Sequence, residues 1–185
     1  MPSIEYDLQY LKIGIGTLEN YFHTRKLFWP IHAGSPTGEP AFPRLTLGSL
    51  LLSLKRVQAR DLTPQQRREL RSFEFDLQQA QKKRQVAWEQ KIEHEFSSRA
   101  RQWRFYLNEL NRDLEKHTEY YPNEVRLRVL LELLLENKPS LDDKHLNAMD
   151  SFLQTFFLPG DFIWDIDLVS GFPEDTYWYL WGVPV

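Results

Sequence analysis

The stretch that decides the fold is Pro64–Lys116, PQQRRELRSFEFDLQQAQKKRQVAWEQKIEHEFSSRARQWRFYLNELNRDLEK, which holds no glycine and, after Pro64, no proline. Thr63 as N-cap and Pro64 at the first helical position mark a helix start. An unbroken helix of this length would be roughly 80 Å long at about 1.5 Å per residue. A compact domain of this chain length is only about 40 Å across. The helix must therefore protrude, bend or break. At 100° per residue counted from Arg67, Leu70, Phe73, Leu77 and Ala80 fall at about 220–300°, while Ile92, Phe96, Trp103, Leu107, Leu110 and Leu114 fall at about 340–40°. The apolar stripe thus turns between the two halves. The polar octet Gln78–Gln85 lies at that turn and marks the exposed or bent middle.

Upstream, Ile4, Leu8, Leu11, Ile15, Leu18 and Phe22 alternate steps of four and three, the signature of one helix face. Gly14 and Gly16 interrupt it as a G-x-G. Glu19 occupies the third glycine position of a dinucleotide fingerprint and no strand precedes the motif, so the pair points to close approach of a neighbouring helix. Trp29-Pro30 stops that helix. Residues 30–44 hold four prolines and two glycines and read as a crossover pinned by Ile31 and Phe42. A second helix is expected from Thr46 as N-cap to about Arg60, with Leu47, Leu50, Leu51, Leu54 and Val57 inward.

Downstream, Pro122 opens a helix that runs to about Asn137 and is apolar nearly all round, so it belongs at a bundle centre. A further helix is expected from Leu141 to about Phe157, closed by Leu158-Pro159-Gly160. Phe162, Trp164, Ile166 and Leu168 then alternate with Ile163, Asp165 and Asp167 as an extended segment, and Gly171–Asp175 resembles a helix start. Residues 151–185 carry ten of the 26 aromatics, too much apolar area to stay solvated. This tail is expected to fold back onto the helices. The fold class that follows is all-α: a single helical domain over 1–185, a bundle of about five helices with one very long helix and a short extended, aromatic C-terminal tail.

Composition and charge set the functional bounds. With 42% hydrophobic residues, a net charge of -3 and no cysteine, the 185-residue chain is a folded type without disulfides, thiolate metal sites or a thiol nucleophile. Met1–Asp7 has no basic region ahead of an apolar run, so no signal peptide is expected and the cytoplasm is the expected location. Val125–Leu135 is interrupted by Arg126, Arg128 and Glu132, so no membrane span is expected. The net charge is a cancellation. Residues 55–104 hold 13 basic and 7 acidic side chains, residues 105–185 hold 6 and 15, and residues 1–54 hold 4 of each.

Catalytic motifs are approached and missed. His94-Glu95-x-x-Ser98 has serine where the second histidine of a zinc helix must stand. Of the Glu-x-x-His pairs that a di-iron bundle needs, only Asp142-x-x-His145 approximates one. There is no G-x-S-x-G and no phosphate-binding glycine loop, and the histidines 23, 32, 94, 117 and 145 sit in different elements. Asp165 and Asp167 are the candidate metal ligands, against a plain solvated face. No cofactor is expected.

A non-enzymatic interaction or scaffold protein is therefore the expected function, its partner another protein or a second copy joined through the long helix. Lys82, Lys83, Arg84, Lys91, Trp178 and Trp181 are the candidate contact residues. One alternative is nucleic-acid binding through the basic 67–104 helix, disfavoured because its charges wrap around the helix and the isoelectric point is near 6.0. The other is a small-ligand or metal-dependent enzyme site at the acidic, aromatic C-terminal segment.

Overall fold

The long segment breaks at Arg84, inside the polar octet. Helix α3 (Pro64–Lys83) ends there, and α4 (Gln85–Arg112) begins one residue later. Arg84 leaves helical geometry (φ -124°, ψ 36°), yet its N–H still donates to Ala80 O at 2.9 Å and its carbonyl still accepts from Trp88 at 2.8 Å. The backbone ladder therefore passes through the break nearly intact. Leu70 and Leu77 are buried on α3, Trp88 and Ile92 on α4. Thr63 caps α3 as expected, in a capping box with Gln66.

The computed structural model describes residues 1–141 and 144–185, so Asp142, half of the Asp142–His145 pair, lies outside the described residues. The fold is all-α apart from one short β-ribbon, and the chain forms two compact units, Met1–Glu95 and Phe96–Val185. Among the described residues no helix is long and apolar enough to cross a membrane.

In the first unit, α1 (Ile4–Phe22) packs on α2 (Leu47–Ala59) and α3. Its buried face runs through Asp7, Leu11, Gly14, Leu18 and Tyr21. A Cβ on Gly14 would stand 2.5 Å from Leu50 Cδ2 and 3.0 Å from Leu45 Cδ1, so α2 approaches α1 closely at this point. Nothing lies within 4 Å of a Cβ on Gly16, so close approach explains one glycine of the pair and not the other. The 30–44 crossover is closed by a Trp29–Leu45 bridge (3.1 and 2.8 Å). Phe42 pins it against Tyr6 and Tyr10, with ring centroids 4.8 and 5.6 Å apart, while Ile31 is only half-buried.

Charge enters this core on purpose-built partners. Asp7, fully buried, accepts from Arg56 Nε at 3.0 Å, from Arg56 Nη2, and from Arg60 Nη1 at 3.2 Å. Arg60 Nη2 also donates to Pro2 O at 2.9 Å. Buried Glu95 accepts the Gly48 N–H at 2.8 Å in the first turn of α2, where the helix dipole favours an anion. Leu51 and Leu54, expected inward, are half-buried; Arg56 takes a buried position on Asp7, and the buried Ser53 hydroxyl accepts from Arg56 Nη2 at 3.3 Å.

The second unit is built on α7 (Arg126–Asn137), which buries Leu127 through Leu131 with Leu133 and Leu134, together with short helices α5 (Leu114–His117) and α6 (Tyr121–Glu124) and with α8 (Lys144–Gln154). Within this unit α4 buries Trp103, Tyr106, Leu107 and Leu110. Two sequence expectations are corrected here. The last helix stops at Gln154 and not at Phe157, because Phe157–Phe162 pairs as strand β1 with β2 (Trp181–Pro184), antiparallel. The extended segment expected at 162–168 therefore lies earlier. Residues Ile166–Gly171 instead form a 3₁₀ turn, started by the Leu168 N–H donating to Asp165 O at 2.9 Å. Leu168 is buried and Ile166 is 77% exposed, so the period-two pattern does not hold. The tail does fold back on its unit: Trp164 Nε1 donates to Pro122 O at 2.9 Å and the Tyr121 hydroxyl to Tyr179 O at 2.7 Å.

Candidate functional site

The ribbon and the short helix α9 (Glu174–Tyr177) frame an open groove of about 240 Å³ lined by Gln154, Phe157, Pro159, Glu174, Trp178 and Trp181. Local chemistry makes it. Gly182 sits at φ +143°, and a Cβ there would stand 2.2 Å from Leu158 O and 2.8 Å from Phe157 Cε1. Only glycine lets β2 lie this close to β1. The adjacent Trp181 is held by its indole N–H, which donates to Phe172 O at 3.1 Å, and by Phe162, with ring centroids 5.3 Å apart. Trp178 meets Phe157 edge-to-face at 5.2 Å and Tyr179 at 5.6 Å. Both indoles are thus fixed by packing while remaining half-buried. Fixed aromatic surface open to solvent loses little conformational freedom when a ligand covers it.

Beneath Trp178 a buried polar cluster anchors the segment. Arg128 makes a two-point contact with Asp150 (2.8 Å each), pairs with Glu132 at 2.8 Å and lies over the Tyr179 ring at 4.5 Å. The Tyr177 hydroxyl donates to Glu136 at 3.0 Å. Burial pushes the hydroxyls of Tyr121, Tyr177 and Tyr179 well above the ordinary tyrosine value, so all three stay neutral and serve as structure. The Tyr179 hydroxyl is buried with no hydrogen-bond partner among the described residues. At the groove rim the exposed Glu174 carboxylate and Gln154 amide have no hydrogen-bond or ion-pair partner among the described residues. The groove thus combines three aromatic side chains with one carboxylate and one amide.

The structure brings Trp178 and Trp181 together in one groove and places the other candidates elsewhere. Lys82 and Lys83 are exposed at the end of α3, with Lys83 Nζ 3.7 Å from Glu19 Oε2. Arg84 pairs with the same carboxylate, and hydrogen bonding from Arg84 holds Glu19 below the usual carboxylate range. Lys91 is only 6% exposed. Its ammonium donates to Thr24 O at 2.9 Å and Lys26 O at 2.6 Å and lies 3.9 Å over the Tyr21 ring, and burial lowers its pKa. Lys91 therefore caps the chain leaving α1 and does not reach the surface. Asp165 and Asp167 are exposed on either side of Ile166, away from the groove lining. Among the described residues no group of three or more histidine or acidic side chains is placed to hold a metal ion.

Sequence reasoning missed Phe157, Pro159, Gln154 and Glu174. The signal was Pro159-Gly160 followed 22 positions later by Gly182, two breakers facing each other across a ribbon. No family model matches the chain, no curated protein is detectably similar in sequence, and no solved structure is detectably similar in fold.

Proposed function

We propose that this chain is a non-enzymatic interaction protein whose partner, another polypeptide, seats on the C-terminal segment of the second unit with Trp178 and Trp181 as anchors. The observation that carries the reading is the pair of packed, half-buried indoles lining one groove. Tryptophan is enriched among the residues that dominate binding energy, and it works best in a pocket that excludes water. Leu158 (56% exposed) and Val185 (57%) are exposed apolar side chains of the same ribbon segment. By contrast, Phe75 on α3 and Val86 and Phe105 on α4 are single apolar residues among polar neighbours, which needs no partner to explain it. Of the basic contact candidates, Lys83 and Arg84 are engaged by Glu19 and Lys91 is internal.

Comparative affinity capture tests this reading. The wild-type chain and a Trp178→Ala/Trp181→Ala variant, matched by circular dichroism, are immobilised side by side in native lysate. At least one protein should be enriched on the wild type and lost on the variant, by roughly tenfold or more if two anchor residues are removed. Identical captured sets on both would overturn the reading.

A further inference from the structure

We infer that the Trp178–Trp181 groove takes an organic cation, an ammonium bearing alkyl groups, presented by the partner as a lysine-type side chain. This rests on the reading of the groove as a partner-binding site and names the chemistry of what enters it. Three observations point the same way. The walls are aromatic: Phe157, Trp178 and Trp181 line one cavity of about 240 Å³, and aromatic rings attract cations through the negative quadrupole of their faces, tryptophan most strongly. The rim charge is negative: Glu174 and Gln154 are the polar residues of the lining, and neither has a hydrogen-bond or ion-pair partner among the described residues. The surrounding field is negative too, since residues 96–185 carry 9 lysines and arginines against 15 acids. That field raises the local concentration of cations before contact.

A neutral apolar group gains area burial in such a groove but no quadrupole or carboxylate attraction. An anion would meet both Glu174 and the negative ring faces. A bare metal ion would lack ligands, because the lining offers one carboxylate and one amide. An alkylated ammonium satisfies all of it, with its alkyl groups against the rings and its spread charge toward the Glu174 carboxylate. The indoles need not reorganise, because the bond from Trp181 to Phe172 O and the Phe157–Trp178 edge contact already fix them.

Indole N–H spectra of the full ¹⁵N-labelled chain test this, with the Trp178 and Trp181 signals among the six tryptophans identified by single substitutions to phenylalanine. The probes are Nα-acetyl-lysine amide, its Nε-trimethyl form, a neutral analogue with carbon in place of the ammonium nitrogen, and choline as a free cation. Both lysine probes should move the Trp178 and Trp181 signals, and the neutral analogue should bind roughly tenfold more weakly than the trimethyl form. Glu174→Gln, at an exposed position, should weaken the cations about two- to fivefold and leave the neutral analogue unchanged. If the neutral analogue binds as tightly as its cation, the groove remains a docking site and the cation inference falls. If choline alone binds and both lysine probes stay silent, the partner side chain is excluded as the source and the inference is overturned. If no probe moves the two indoles, the cation inference fails on its own, and comparative capture still decides the interaction reading.

Discussion

Gly182 and Gly160 sit in the same two-stranded ribbon, and alanine should be tolerated at one and not at the other. At Gly182 the backbone has φ +143°, a region that side-chain-bearing residues rarely adopt, which costs about 1–3 kcal/mol. The added Cβ would also lie 2.2 Å from Leu158 O and 2.8–2.9 Å from the Phe157 ring. A backbone carbonyl cannot rotate away, so the strands must part, and overpacking of this kind adds about 1–3 kcal/mol. Gly182→Ala should therefore destabilise the second unit by about 2–6 kcal/mol. At Gly160 the nearest atom to a built Cβ is Gly182 Cα at 3.9 Å, an ordinary contact, and Gly160→Ala should stay within about 1 kcal/mol of wild type. Amide hydrogen exchange across residues 157–184 is the suitable assay, because two compact units need not unfold together and a single melting curve would mix them. Gly182→Ala should also lose partner capture, since Phe157 and Trp181 both line the groove. Protection in Gly182→Ala equal to wild type, or equal losses at the two glycines, would refute the packing argument.

Three other outcomes follow from the same interactions. Asp7→Ala leaves the guanidiniums of Arg56 and Arg60 buried without their carboxylate, so the first unit should lose about 3–5 kcal/mol in urea unfolding; a loss under about 1 kcal/mol would show that the cluster is not internal in solution. Tyr179→Phe removes a buried hydroxyl that has no partner among the described residues and should be neutral or slightly stabilising, whereas Tyr121→Phe removes a 2.7 Å bond to Tyr179 O and should cost about 1 kcal/mol, so the reverse ranking would be decisive against both assignments. Burial raises the pKa of Tyr10, Tyr106, Tyr121, Tyr177 and Tyr179 above 10.0, so at higher pH the unfolded chain gives up protons that the folded chain keeps. Stability should hold below pH 10 and fall above it, opposed in part by Lys91, whose lowered pKa adds stability as pH rises toward 10.5; urea midpoints at pH 9 and 11 that coincide would contradict this.

Periodicity carried most of the helical architecture. The turn of the apolar stripe between Leu77 and Ile92, with polar Gln78–Gln85 between them, located the break that the backbone makes at Arg84. What periodicity could not carry was charge turned inward. Asp7 lies on the same steps as Leu11, Gly14 and Leu18, and Glu95 shares a face with Trp88 and Ile92, yet a hydrophobicity count passes over both. Their burial depends on partners distant in sequence, Arg56 and Arg60 for one and the Gly48 N–H for the other. Lys91 departs from its expected surface place for the same reason: two carbonyls, at Thr24 and Lys26, draw it inside. At the candidate site the sequence offered Trp178 and Trp181 as aromatic anchors. It did not offer Phe157 or Gln154, because Pro159-Gly160 reads as the end of a helix when the returning strand with Gly182 is out of view.

Site-specific photocrosslinking asks most directly which surface meets the partner. p-Benzoylphenylalanine replaces the exposed Gln154 at the groove or, separately, Phe105, which is 67% exposed on α4. Irradiation in native cells should give a covalent adduct with another polypeptide from the groove position and none from the helix position. An adduct from position 105 alone, whether to another protein or to a second copy of the chain, would contradict the groove as the contact surface.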